Sequence, residues 1–400
     1  MKKDKVLECV NSSYTLSLTE QLIRIPSESG TQGRSRDRTP LIALLNEHLR
    51  ALGLETQPIT VVEGKPNIYA EMKGVTEGPT LMLKAHAGTI PVTDMHMGMW
   101  SFDPFTPVIK DGKLYGVGSS DDKSGVAAVI GALKAIAESG IRFNGKISVI
   151  ISTSGEGEPG GYQELFLENR FPKADAAIIV DASDRKVVRQ YKGRMWYEFI
   201  VHGKSVHACD PEAGINAIDK MYEVIQALKS IKFTDRDDPV LGRVTFTVTS
   251  SDAINIINSV PGKCKMTADM RMIPGLTSEM AIGKIQAVLD DLMRKDKDLK
   301  VSMSVVRNSI KEACEVPLEH PIVQATAQAM ERIVGRAEYT PGIMSGAGYW
   351  FMKHGIPAVF FGPGSILDAH MPNEYVEVVR IEEATKIIAL AALNYLGVKG

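Results

Sequence analysis

The feature that most constrains this 400-residue chain is a set of four short apolar runs, each ending in or leading to a histidine or a carboxylate. TLMLKAH ends in His86, KISVIISTSG is followed by Glu156, AAIIVD ends in Asp181, and PAVFFGPG opens the loop that holds His370. Runs that are apolar throughout, with no polar alternation, belong to strands buried on both faces. The helix-spaced segment SGVAAVIGALKAIAES separates the first two runs, and SLTEQLIRI and PLIALLNEHLRALGLE precede them. The pattern predicts an α/β unit, a mainly parallel sheet sandwiched by helices.

Between the third and fourth runs the rhythm changes. RMWYEFIVHG, GRVTFTVTSS, GKCKMTADMRMI and LKVSMSVVRN alternate polar and apolar residues. The segments AIDKMYEVIQALKSIKF and SEMAIGKIQAVLDDLMRK interrupt them at helical spacing. The order β-α-β-β-α-β is that of a ferredoxin-like unit. We therefore expect a second domain at about 190–308, inserted into a domain made of 1–189 and 309–400.

Composition narrows the function classes. Forty-six basic residues oppose forty-eight acidic ones, and 44% of the chain is hydrophobic, which argues against disorder and against an electrostatically driven nucleic-acid binder. Cys9, Cys209, Cys264 and Cys314 form no CxxC pair, as expected of reduced thiols in a cytoplasm. The charged N-terminus has no apolar core of a secretory signal, and no apolar stretch reaches the ~18 residues of a membrane span. The expected partner is a small molecule in the cytoplasm, with neither membrane nor nucleic acid involved.

Phosphate-loop and nucleophile-elbow readings fail, because Glu198 stands where Gly203-Lys204-Ser205 would need its glycine and no GxSxG or HExxH occurs. What remains is His86, Asp121, Glu156, Asp181 and His370, all at the carboxyl ends of expected strands or directly before a helix. In an open parallel sheet those ends line the ligand crevice. Two imidazoles and three carboxylates suit Zn²⁺, with Mn²⁺ or Co²⁺ as alternatives, and a shared carboxylate lets two ions sit ~3.5–4 Å apart. Taken singly, Asp121 could merely cap a helix and Asp181 merely bind a turn. Joint placement favours the metal reading.

The sequence resembles the dinuclear-metal amidohydrolase and exopeptidase family that contains succinyl-diaminopimelate desuccinylase, acetylornithine deacetylase, carboxypeptidase G and the carnosine-type dipeptidases. The resemblance rests on KAHAGTIPV, on Trp100 with Asp103-Pro104-Phe105, and on LYGVGSSDDKSGVAA. It continues in GRMWYEFIVHGKSVHACDPEAGINAI, NSVPGKCKMTADMR and GIPAVFFGPGSILDAHMPNEYV. It implies two metal ions, with His86 and Asp181 on one, Glu156 and His370 on the other, and Asp121 bridging. It also implies that Gly88 stands where an Asp normally holds the first histidine, and Gly155 where a Glu normally acts as general base. A shifted alignment would instead make Glu156 the base and Glu158 the ligand, or let Glu158 reach back as the base.

For the substrate, the resemblance implies that His207 reaches a reaction-centre oxygen, in relatives often across a dimer interface. Arg271 would clamp a substrate carboxylate or simply pair with Asp269. Asn258 and Gly362 could add polar or backbone contacts. The expected activity is metal-dependent hydrolysis of a C–N bond in a small carboxylate-bearing molecule, an N-acyl amino acid or dipeptide. The alternatives are a catalytically impaired metal and carboxylate binder and an aminohydrolase for an atypical substrate. A homodimer through the inserted domain would cover its exposed strand edges.

Overall fold

The computed structural model describes residues 3–29, 36–155, 160–253, 256–342 and 346–399. The chain divides into two compact units, Met1–Arg189 with Val316–Thr340 and Trp350–Gly400, and Gln190–Glu315 with Pro341–Tyr349.

The first unit is built on a six-stranded sheet in the order Thr56–Val62, Lys65–Lys73, Asn144–Ser152, Thr76–His86, Ala176–Ile179 and Ala358–Phe360. The last four are the apolar runs read from sequence, and they pair in parallel. The first two form an antiparallel hairpin that the apolar-run pattern did not reveal. TQPITVV is half exposed and carries Pro58, which an edge strand tolerates because one side of its backbone needs no partner. In the central strands both residue parities are buried. Leu81, Leu83 and Ala85 join the main core with helices Lys123–Ser139, Pro321–Val334 and Val378–Leu396, while Met82, Lys84 and His86 are buried on the opposite face. Helix Lys123–Ser139 is buried over nearly its whole length, which the small and apolar residues of Val126–Ala137, interrupted only by Gly131 and Lys134, allow.

A small sheet of Val108–Lys110, Lys113–Tyr115 and Tyr375–Glu377 completes this unit. Its pairing of Tyr375 with Tyr115 carries Glu374 alongside the loop that leads to Asp121.

The second unit has a four-stranded antiparallel sheet in the order Thr245–Asp252, Lys263–Met272, Gly193–His202 and Lys300–Val305. Alternation does what the sequence pattern demands. Met195, Tyr197, Phe199 and Val201 turn inward with Met266, Ala268 and Met270, under helices Ala217–Lys229 and Ser278–Lys295. Asn216 and Thr277 cap those helices through their side-chain oxygens. Arg194, Trp196 and Glu198 face the other way. Among the described residues, no helix is long and apolar enough to cross a membrane.

Candidate metal centre

His86 is the last residue of its strand, and Asp181 lies two residues past the neighbouring parallel strand Ala176–Ile179, so both leave the same end of the sheet. Asp121 reaches that end from the loop before helix Lys123–Ser139. One donor atom from each of the three lies within 4.8 Å of the others. His86 Nε2 stands 3.2 Å from Asp121 Oδ1, and His370 Nε2 stands 3.4 Å from Asp121 Oδ2. Each oxygen of one carboxylate therefore faces a different imidazole.

The electrostatics of the cluster are those of a place that lacks positive charge. Burial and Lys84 push the His86 imidazole down, yet the carboxylates of Asp121 and Asp181 override them and raise it to about 9. Burial alone would raise Asp121, but the two histidines hold it well below the usual carboxylate range. Asp122 behaves in the opposite way: burial first, then the nearby Asp181 and Asp121, push it well above that range. Both Asp122 oxygens and Asp121 Oδ1 are buried without a hydrogen bond of good geometry among the described residues. His86 Nδ1 lies 3.1 Å from the Gly88 carbonyl oxygen, which can only accept. Nδ1 therefore keeps its proton, and once Nε2 gives up its own, as it must to bind a cation, the Nε2 lone pair points into the carboxylate cluster. A lone pair facing an orphaned carboxylate oxygen is the arrangement a divalent cation satisfies, and the donor set fits one.

Gly88 and Gly155 occupy positions that a side chain cannot enter in this arrangement. A Cβ on Gly88 would collide with Gly155 N and lie 2.6 Å from Ser154 C. A Cβ on Gly155 would lie 2.5 Å from Gly88 O and 2.7 Å from His86 Nδ1. The two loops have closed on each other, and the Gly88 carbonyl now holds the imidazole where the resemblance led us to expect a carboxylate. The histidine has thus kept an orienting partner, which is why the absence of a side chain at Gly88 does not leave Nδ1 bare.

Sequence reasoning missed Glu374. Its carboxylate is buried and accepts from the backbone N–H groups of Gly118 at 2.9 Å, Ser120 at 2.8 Å and Asp121 at 3.0 Å, so it fixes the loop that presents Asp121. Burial raises it to about 7 against the pull of those three donors. The signal was its position four residues after His370 in HMPNEYV, but nothing in spacing distinguishes an anchor from a surface acid. Lys123 was missed too: it is fully buried, donates to the Ile25 carbonyl at 2.9 Å, and is pushed down to about 7 by burial. Gly362 packs against the Asp181 backbone and donates to Ser183 Oγ at 2.9 Å, and Gly364 packs against Ser120 O. The glycines of FFGPG thus let this loop close on the segments that carry Asp181 and Asp121.

The remaining sequence candidates lie elsewhere. Glu156 and Glu158 fall outside the described residues. In the second unit, His207 sits in an exposed loop, its Nδ1 accepting from Cys209 N at 3.1 Å, and Asn258 is exposed with its carbonyl accepting from Ala208 N. Arg271 Nε donates to Asp269 Oδ1 at 2.7 Å, and Trp196 Nε1 donates to Asp269 Oδ2 at 2.6 Å.

Residues 82–394 match the model of Peptidase family M20/M25/M40. The chain is 30% identical over 391 residues to an acetylornithine deacetylase of Proteus mirabilis, covering 95% of this chain and 96% of that protein. Its fold is similar to that of the aminopeptidase PepT from Bacillus cereus, with a TM-score of 0.75 at 18% identity over 97% of this chain and 99% of the other. It is also similar to the Bacillus subtilis YXEP protein, described as a dinuclear metal binding peptidase, with a TM-score of 0.70 at 14% identity over 96% and 98% of the two chains.

Proposed function

Because the chain belongs to Peptidase family M20/M25/M40 and is a metal-dependent amide hydrolase of that family, we propose that it cleaves the C–N bond of an N-acyl amino acid or dipeptide at the cluster around Asp121. The observation that carries this reading is the single carboxylate whose two oxygens each face a histidine, His86 on one side and His370 on the other. In the proposed site His86 and Asp181 would hold one ion, Glu156 and His370 the other, and Asp121 would serve both. The donor set supports zinc first, then manganese or cobalt. Ions so held supply Lewis acidity toward the scissile carbonyl and a water of lowered pKa.

The residues of the chain do the rest. The Gly88 carbonyl fixes the tautomer of His86, and Glu374 holds the backbone of Asp121 in place. With Gly155 unable to accept a proton, the base is Glu158, or Glu156 if the ligand assignment shifts by two residues. His207 donates to the developing oxyanion, and Arg271 recognises the substrate carboxylate with the part of its guanidinium not engaged by Asp269, with Asn258 and the Gly362 backbone in support.

We further read the second unit as a lid and dimerisation domain over about 190–308, since strands Thr245–Asp252 and Lys300–Val305 are the edges of its sheet and edges are normally covered or paired. Four free cysteines support a reducing, cytoplasmic setting. The test is turnover on a panel of N-acyl amino acids and dipeptides after loading with Zn²⁺, Mn²⁺ or Co²⁺, with elemental analysis of the same samples. Metal-dependent release of free amine is expected. Full metal loading with no turnover on any member would overturn this substrate reading.

A further inference from the structure

Segment 25–29 follows helix Ser12–Ile23 and carries none of the candidate ligands, yet its hydrogen bonds converge on the loop after His86. Ser27 Oγ donates to the Ala87 carbonyl at 2.5 Å, and the Ser27 carbonyl accepts from Thr89 N at 3.0 Å. Ser29 N donates to the Thr89 carbonyl at 2.7 Å, while Ser29 Oγ donates to the Gly155 carbonyl at 2.8 Å. Between the two serines, Glu28 Oε1 accepts from Val92 N at 2.9 Å. Both serines are buried, Ser27 completely. The segment is itself held in place, since Arg38 donates to the Glu28 carbonyl at 3.0 Å and Lys123 to that of Ile25 at 2.9 Å.

Gly88 is thereby held at both flanks and at its contact. Its neighbours Ala87 and Thr89 are both tied to Ser27, and Gly155, against which it closes, is tied to Ser29. The consequence reaches His86, because the Gly88 carbonyl is the group 3.1 Å from its Nδ1. A glycine has more backbone conformations open to it than any other residue, so its carbonyl keeps one direction only where its surroundings restrain it. The two hydroxyl bonds span 60 and 126 residues, so no helix or turn accounts for them. They fall where the imidazole's partner needs support.

We propose that Ser27 and Ser29 are positioning residues for the metal centre: through the Gly88 carbonyl they hold the His86 imidazole at the angle at which Nε2 faces Asp121. The inference rests on the metal reading of the site given above. It adds the groups that steady the imidazole when residue 88 has no side chain to do so.

The test compares the full chain with Ser29→Ala, Ser27→Ala and the double variant. Thr385→Val serves as control, because it removes a buried hydroxyl that bonds Ile381 O within helix Val378–Leu396, outside the site. In the metal-free protein, NMR of histidine labelled with nitrogen-15 reads the His86 Nδ1 proton, and His86→Asn identifies its signal. That signal should shift or broaden in the serine variants and stay unchanged in Thr385→Val. Co²⁺ affinity, measured by competition with a chelator, should fall about 10–100-fold in the double variant, as for loss of a metal ligand's outer partner. The Co²⁺ absorption spectrum should change with it. Serine variants that lose only stability to urea, as Thr385→Val should, with the His86 signal and Co²⁺ affinity unaltered, would overturn the inference. If the unsubstituted protein binds no Co²⁺ while the His86 signal still depends on the serines, the positioning role stands and the metal reading fails. Should the double variant not fold, Ser29→Ala decides by the same readouts, since it keeps the backbone bond to Thr89.

Discussion

The two units handle charge in opposite ways. In the first, Asp121, Asp122, Glu374 and Lys123 are almost wholly withdrawn from water, and three of them are pushed toward neutrality by burial. In the second, charged groups on the sheet face away from the helices pair in contact with water, Lys265 with Glu198 at 2.5 Å and Arg271 with Asp269 at 2.7 Å. Pairs of the second kind are each worth roughly 0–1 kcal/mol. Charges of the first kind are costly to bury, and they persist because a bound cation or a dense set of backbone donors compensates them. The contrast marks where the molecule has concentrated its chemistry, and substitutions on either side of it give graded outcomes.

The largest effect should come from Asp121→Asn. Removing the carboxylate that both histidines face should cost metal affinity more than the ~10–100-fold typical of an outer partner. Competition with a chromophoric chelator measures it, and unchanged affinity would remove Asp121 from the site. Next is Gly88→Asp, the change that sequence resemblance would suggest as a repair. Its Cβ meets the backbone of Ser154 and Gly155, so the His86 partner is displaced, and metal affinity should fall by about 10–100-fold. A rise in affinity would show that the two loops separate freely.

Glu374→Gln tests the anchor. One amide oxygen cannot serve all three N–H groups that the carboxylate accepts, and the amide nitrogen would confront a donor, so a loss of about 1–3 kcal/mol is expected in urea unfolding. A neutral outcome would mean that water replaces the lost acceptor. The smallest effect belongs to the second unit. Gly283 lies inside helix Ser278–Lys295, and a methyl group there would meet nothing within 4 Å, so Gly283→Ala should stabilise by about 0.4–1 kcal/mol. A destabilised Gly283→Ala would erase the contrast between glycines that the site requires and a glycine that is merely tolerated.

Much of the architecture was legible from pattern. Continuous apolar runs marked the four parallel strands, and alternation marked the second sheet, because burial on two faces and on one face leave different periodicities in the chain. The hairpin Thr56–Val62 with Lys65–Lys73 was not legible, since a half-exposed edge strand carrying a proline resembles a loop. Among the candidate ligands, the structure gathers His86, Asp121 and Asp181, with His370 against the second oxygen of Asp121.

Which residue types stand at the strand ends follows from the chain alone, because strand length and polarity are local properties written in consecutive residues. What surrounds those residues was settled by the fold. That the Gly88 carbonyl meets the His86 imidazole, that Gly155 closes against it, and that Glu374 reaches back across more than two hundred and fifty residues to three N–H groups are facts of approach between residues that no local pattern ties together. Hydrogen bonds and steric exclusion act over a few ångströms in space, and no local periodicity records them.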